Sequence, residues 1–119
     1  MKTIILVIGM ALISLTTHSQ SKLEIITQRC KESLEMKLSE ACNKKSDREW
    51  RYKVTDVKVV VTSFSEIEGK FNIVSKCSYV ESLTRHAPGG ITTNYDNTGT
   101  YYFKLDSALG DYIVVEVAP

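Results

Sequence analysis

The stretch SKLEIITQRCKESLEMKLSEACNKK (Ser21–Lys45), followed at once by SDREWRYKVTDVKVVVT (Ser46–Thr62), decides the fold, because the hydrophobic period changes between them. In the first, Leu23, Ile26, Cys30, Leu34, Leu38 and Ala41 recur at steps of three and four residues. At about 100° per residue they form one stripe, and Lys31, Glu32, Glu35, Lys37, Glu40 and Lys44 lie mostly off it. The spacing predicts an amphipathic helix over 22–44. Ser21, with Glu24 three residues later, is a capping box at its start. The run Asn43-Lys44-Lys45-Ser46-Asp47 ends it, with cations where the helix dipole is negative.

In the second stretch the texture is β-branched and aromatic, as strands require. Residues 50–63 are expected as a strand. Its apolar phase moves from even to odd positions near Thr55-Asp56, which a bulge or strong bend explains. Ser65-Glu66-Ile67-Glu68-Gly69 reads as a hairpin loop. Residues 70–84 alternate, with Phe71, Ile73, Cys77, Tyr79 and Leu83 on one face, and form a second strand. Arg85-His86-Ala87-Pro88-Gly89-Gly90 is a loop marked by Pro and Gly. A third strand runs from about Tyr95 to Leu105, Asp106–Gly110 turns the chain, and Asp111–Val117 is the last strand.

Short connections between successive strands force an antiparallel meander. A helix with one apolar stripe and a sheet with one apolar face bury each other. The expected fold is therefore α+β, with one N-terminal amphipathic helix packed on a curved four-stranded antiparallel sheet.

Ahead of the helix, Met1-Lys2-Thr3 carries one positive charge, Ile4–Leu15 is almost wholly apolar, and Thr16–Gln20 is small and polar. This is the pattern of a secretory signal peptide, and the apolar run is shorter than the roughly 20 residues a membrane span needs. Residues 1–19 are expected to be cleaved after Ser19, leaving one exported domain, secreted or periplasmic, over 20–119 with no membrane span. Removal of Lys2 leaves 14 basic against 14 acidic residues. A near-neutral chain lacks the clustered positive charge that nucleic acid or an anionic membrane demands. No nucleic-acid partner is expected.

The chain holds three cysteines, Cys30, Cys42 and Cys77. Export makes one disulfide plausible; the other reading is three small buried hydrophobes. Cys30 and Cys42 are about 18 Å apart along one helix, too far for the about 7 Å limit of a disulfide. Cys77 lies mid-strand over the middle of the helix, so Cys30–Cys77 is the expected pair.

The element order resembles the cystatin-like topology, a curved antiparallel sheet wrapped on one helix. The resemblance rests on element order and spans nearly all of 20–119. Cystatin inhibitors present a Gln-x-Val-x-Gly hairpin and a Pro-Trp hairpin to papain-like proteases. Here the first hairpin keeps an apolar residue and a glycine, Ile67 and Gly69, without the glutamine. The second has Ser107-Ala108-Leu109-Gly110 and no Pro-Trp.

Cys77 and His86 are the one conceivable nucleophile and base pair after the leader, but Cys77 is in register with core residues and His86 is in a Pro/Gly loop. One His with three scattered Cys offers no paired-ligand spacing. No cofactor, metal or catalytic residue is expected. The adjacent Tyr101 and Tyr102 must face opposite ways, so one of them, with Tyr95 and Tyr112 near it, is a candidate patch. The expected function is non-enzymatic binding of a protein or peptide partner. The surface assigned to it is Glu66, Ile67, Glu68 and Gly69 together with Arg85 and His86, because an apolar Ile67 at a loop tip costs solvation unless it docks. The alternatives are a ligand-binding or enzymatic pocket between helix and sheet, and a structural subunit of an envelope assembly.

Overall fold

The computed structural model describes residues 10–119, with side chains described from Lys22 onward. One helix, α1 (Met10–Lys45), precedes four strands, β1 (Trp50–Ile67), β2 (Lys70–Arg85), β3 (Thr92–Ala108) and β4 (Asp111–Ala118). The sheet is an antiparallel meander in the order β1-β2-β3-β4, with α1 packed on one face. The α+β class and the helix-on-meander architecture are as the periodicity dictates.

The helix begins earlier than its stripe. It runs unbroken through Ser21, which is therefore an interior residue of α1 and not its cap. Met10, Ala11, Leu12 and Leu15 are strong helix formers, and no Pro or Gly interrupts 10–21. A cap at Ser21 is expected only of a chain that starts beside it. Residues 1–9 of the expected export segment lie outside the described residues.

Burial follows the predicted stripe. Ile26, Cys30 and Leu34 are at 0% exposure, with Leu38 packed against the same cluster. Facing them are Phe71, Ile73 and Cys77 of β2, Phe103 and Leu105 of β3, and Val57 of β1. The β2 and β3 residues are alternate positions, so each of these strands gives one face to the helix. Tyr112 closes the β4 side, its ring edge-on to Phe71 at 5.4 Å. Ser75, the one buried polar residue described, lies among them. Its hydroxyl donates to Tyr101 O at 3.2 Å and lies 3.3 Å from Cys77 Sγ, so it is satisfied.

The phase change in β1 is a bulge. Thr55 pairs with Val80 and Lys58 with Ser78, so Asp56 and Val57 stand against one residue, and Asp56 takes φ 55°. Aspartate tolerates that left-handed conformation better than most residues. A second bulge at Thr62 is anchored by its hydroxyl on Val74 O, 3.0 Å away. Extra residues of this kind bend and twist a strand, and they curve this one around α1. Both hairpins are tighter than their polar sequences suggest. Ser65–Ile67 and Asp106–Ala108 continue the strands, and only Glu68-Gly69 and Leu109-Gly110 turn. All four of these residues have positive φ, 52°, 77°, 50° and 80° in turn. That is the signature of two type I′ turns, whose twist matches the flanking strands.

The expected Cys30–Cys77 bridge is not formed: all three cysteines are free and buried. Cys30 and Cys77 serve as small apolar fillers of the core. Burial, reinforced by the neighbouring Cys77, pushes the Cys30 thiol up to about 12, and burial also raises Cys77. A thiol-specific reagent at mildly alkaline pH should therefore find the native core thiols inert, and all three cysteines should react only in denaturant. A single reactive cysteine in denaturant would instead mean a bridge. Leu34→Ala should lower unfolding stability by about 2–5 kcal/mol in denaturant titration. A loss under about 1 kcal/mol would place the helix stripe outside the core.

Candidate binding surface

The strand topology separates the two loops expected to act together. Glu66–Gly69 lies at one end of β2 and Arg85–Gly90 at the other, the full length of a strand apart. What adjoins the first hairpin is the β3–β4 turn. Ser107 N donates to Gly69 O at 2.8 Å, and Lys70 is in register with Asp106. The two type I′ turns therefore stand side by side at one end of the sheet.

Each turn carries an exposed apolar residue. Ile67 is 67% exposed, and Leu109 is fully exposed at 107% of its reference area. Leu109 also sits at φ 50°, where a branched, bulky side chain is strained by about 1–2 kcal/mol. Asn or Gly would be relaxed there. Ile113, half exposed, lies on the same outer face in register with Asp106, beside Ile67 and Lys70. On the other flank a hollow of about 470 Å³ is lined by Lys22, Leu23 and Val61–Phe64, with Leu23 and Phe64 exposed.

Two ion pairs hold this end against the helix. Lys22 Nζ meets Glu66 Oε1 at 2.9 Å and lies 5.2 Å from the Phe71 ring centroid. Arg29 Nε meets Asp111 Oδ1 at 3.1 Å, so α1 is tied to β1 beside the first turn and to β4 beside the second. Glu66 thus points to the helix and acts as a strut. Its neighbours Ile67 and Glu68 face solvent.

At the far end, Arg85 and His86 are occupied within the chain. Arg85 pairs with Glu49 at 3.0 Å and lies over the Trp50 ring, 5.8 Å from its centroid. His86 N donates to Glu49 O at 2.6 Å. These contacts stitch the β2–β3 connection to the start of β1. The Arg85 charge is matched there by a carboxylate of its own chain.

No candidate catalytic pair assembles from the residues expected to be closest to one. Cys77 is buried mid-strand with its thiol raised, the reverse of an activated nucleophile, while His86 is beyond the end of β2. No cluster of three or more His, Cys, Asp or Glu is placed to hold a metal among the described residues. The tyrosines do not form one patch. Tyr101 and Tyr112 pack against the core, whereas Tyr102 and Tyr95 are each half exposed on opposite faces of β3. Leu109 is the exposed apolar residue that sequence reading passes over: the turn at Asp106–Gly110 is expected, but not that Leu109 stands at its tip. Its place between two strand-like runs, Tyr101–Leu105 and Tyr112–Val117, is the signal that finds it.

The Asp111 carboxyl is held below the ordinary carboxylate range, first by the Tyr112 N–H and then by the Arg29 guanidinium. A depressed folded pKa adds stability above the unfolded value, about 3.9, and that contribution is lost as pH falls through the folded one. NMR titration should place Asp111 below free aspartate, and Arg29→Ala should move it part of the way back. An unshifted midpoint in the parent chain would remove the Arg29 strut. Comparison with known proteins returns no match: no family model, no curated protein and no solved structure aligns significantly with the chain.

Proposed function

We propose that the chain is an exported, non-catalytic binding protein that docks a protein or peptide through its twin-turn end. The observation that carries the reading is Leu109, which is apolar, fully exposed and at a positive φ. Turn chemistry alone favours Asn or Gly at such a position, so leucine there destabilises the free protein on two counts. Burying it on a partner returns about 1.5–3 kcal/mol, enough to offset the backbone strain. Strained backbone gathers where a protein acts on something else.

The rest of the end supports this. Ile67 gives a second apolar tip one turn away, and the ion pairs of Lys22 and Arg29 hold both hairpins in place before a partner arrives. A prearranged surface loses less entropy on binding. The likeness to the cystatin-like arrangement is one of element order. The missing glutamine and Pro-Trp leave the partner class open beyond an apolar recess that admits two aliphatic tips. Export by the N-terminal leader supports an extracellular or periplasmic partner. The filled interior between helix and sheet, where Ile26, Cys30 and Leu34 meet Phe71, Ile73 and Phe103, favours this over a ligand pocket.

The experiment compares the parent chain with Leu109→Asn and Ile67→Asp in capture of partners from the native extracellular fraction. Leu109→Asn should raise unfolding stability by about 1 kcal/mol by relieving the turn, and still lose the captured partner. Ile67→Asp should lose it with the thermal midpoint nearly unchanged. Undiminished capture by both variants, or a large stability loss on Ile67→Asp, would refute the reading.

A further inference from the structure

The outer face of the sheet, away from α1, divides into two halves of different charge. In the half remote from the twin turns, Arg51, Lys53 and Lys58 of β1 lie in register with Thr84, Ser82 and Ser78 of β2, and Lys76 of β2 lies opposite Val60. Arg51, Lys53, Lys58 and Lys76 are all exposed, and none has an ion-pair partner among the described residues. The carboxylates described near them are Asp96, opposite Val80, and Asp56 at the bulge. In the half nearer the twin turns the cations are matched: Lys104 meets Glu116 at 3.7 Å, and Lys70 is in register with Asp106. A chain of near-zero net charge thus carries a column of unpaired cations about 27 Å long, the span from Thr84 to Lys76 along β2. Protection of an exposed edge accounts for charge on β1. It does not account for Lys76, which is on an inner strand. Around the β1 edge, Arg48 joins Arg51 and Lys53 beside a hollow of about 640 Å³. The Asp47 carboxylate in that hollow is engaged by the backbone N–H groups of Glu49 and Trp50.

We infer that this half of the outer face is a binding site for a sulfated polysaccharide, which lies along β1 and β2 from Arg51 to Lys76. The column of cations faces successive sulfate groups, and the sheet holds it in place before the ligand arrives, so less freedom is lost on binding. Beside the cations the face is hydroxyl and amide. The hydroxyls of Thr84 and Thr92 meet at 2.9 Å, and Ser82 donates to Asn94 Oδ1 at 2.7 Å. Ser78, in register with Thr98, and Thr100, in register with Lys76, continue the ladder. A hydroxyl both donates and accepts, which is what the hydroxyls of a sugar chain require of a partner. The kind of anion follows from the kind of cation, since all but Arg51 in the column are lysines. An ammonium is a point charge that meets a tetrahedral sulfate from any side, whereas a planar carboxylate favours the bidentate fork of arginine. Among the described residues no aromatic side chain lies on this half of the face, so a nucleic-acid strand would find no platform on which to stack. The twin turns lie at the other end of these strands, and the two surfaces do not overlap.

The test compares binding of the purified chain to dextran sulfate, carboxymethyl-dextran of matched charge density, plain dextran and a single-stranded oligonucleotide. Dextran sulfate should bind most tightly, and its binding should weaken as salt rises. Replacing two cations of the column together, Lys58→Gln and Lys76→Gln, should weaken it about tenfold or more. Lys70→Gln and Lys104→Gln together remove the same charge from the other half of the face, and should change it by less than about twofold. Asp96→Asn, which removes a carboxylate beside the column, should tighten it. Circular dichroism checks the folding of each variant, all of which alter outward-facing side chains. Equal losses in the two double variants overturn the inference, because binding then follows net charge alone. So does a Lys58 and Lys76 double variant that binds as the parent does, tighter binding of carboxymethyl-dextran or of the oligonucleotide than of dextran sulfate, or a parent chain that binds none of the four.

Discussion

Ile26, Cys30 and Leu34 lie without solvent contact against Phe71, Ile73 and Cys77 on β2 and Phe103 and Leu105 on β3. The rest of the molecule depends on this burial. A chain of this size gains little margin from a single core, so the apolar stripe of the helix and the apolar face of the sheet have to be used almost completely. The sheet must curve to do it, and the bulges at Asp56 and Thr62 let β1 bend towards α1 without losing its register with β2 for more than a residue. The thiols belong to the same packing. Cys30 and Cys77 fill space that a larger side chain would overfill, and their raised pKa values follow from that burial.

The core also fixes which surfaces are left over. With the concave face committed to the helix, what remains for recognition is the outer face, the strand edges and the two ends. The two ends differ in chemistry. Where the β2–β3 connection lies, Arg85 pairs with Glu49 and lies over Trp50, and Ile91 is exposed beside them. At the twin-turn end the polar groups Glu66 and Asp111 are drawn back to Lys22 and Arg29 of the helix, and the aliphatic groups Ile67 and Leu109 are turned out. The ordinary arrangement, apolar in and charged out, is inverted there over a few residues.

Much of the fold was legible because its signals are local and strong. The three-and-four spacing from Leu23 to Ala41 and the alternation from Phe71 to Leu83 each identify an element and its buried face. The phase slip at Thr55-Asp56 even locates a bulge. Element ends were less legible. Ser65, Glu66 and Asp106 are polar residues that read as loop, yet they continue the strands, because a two-residue turn with positive φ leaves no room for a longer loop. Ser21 reads as a helix cap, yet the residues before it are themselves good helix formers. The proposed surface was half legible. Ile67 stands out as an apolar residue amid acidic ones, but its pairing with Arg85 and His86 fails because proximity in a meander depends on which hairpins share an end. The turn that holds Leu109 is legible between two strands, but its neighbour is not: only the long-range bond from Ser107 to Gly69 brings it beside Ile67.

Amide hydrogen exchange on the chain, alone and with a captured partner bound, tests the twin-turn surface most directly. Docking there predicts added protection at Ile67–Lys70 and Ala108–Tyr112, with His86–Gly90 unchanged. Protection gained at His86–Gly90 while both turns exchange as freely as before would contradict it.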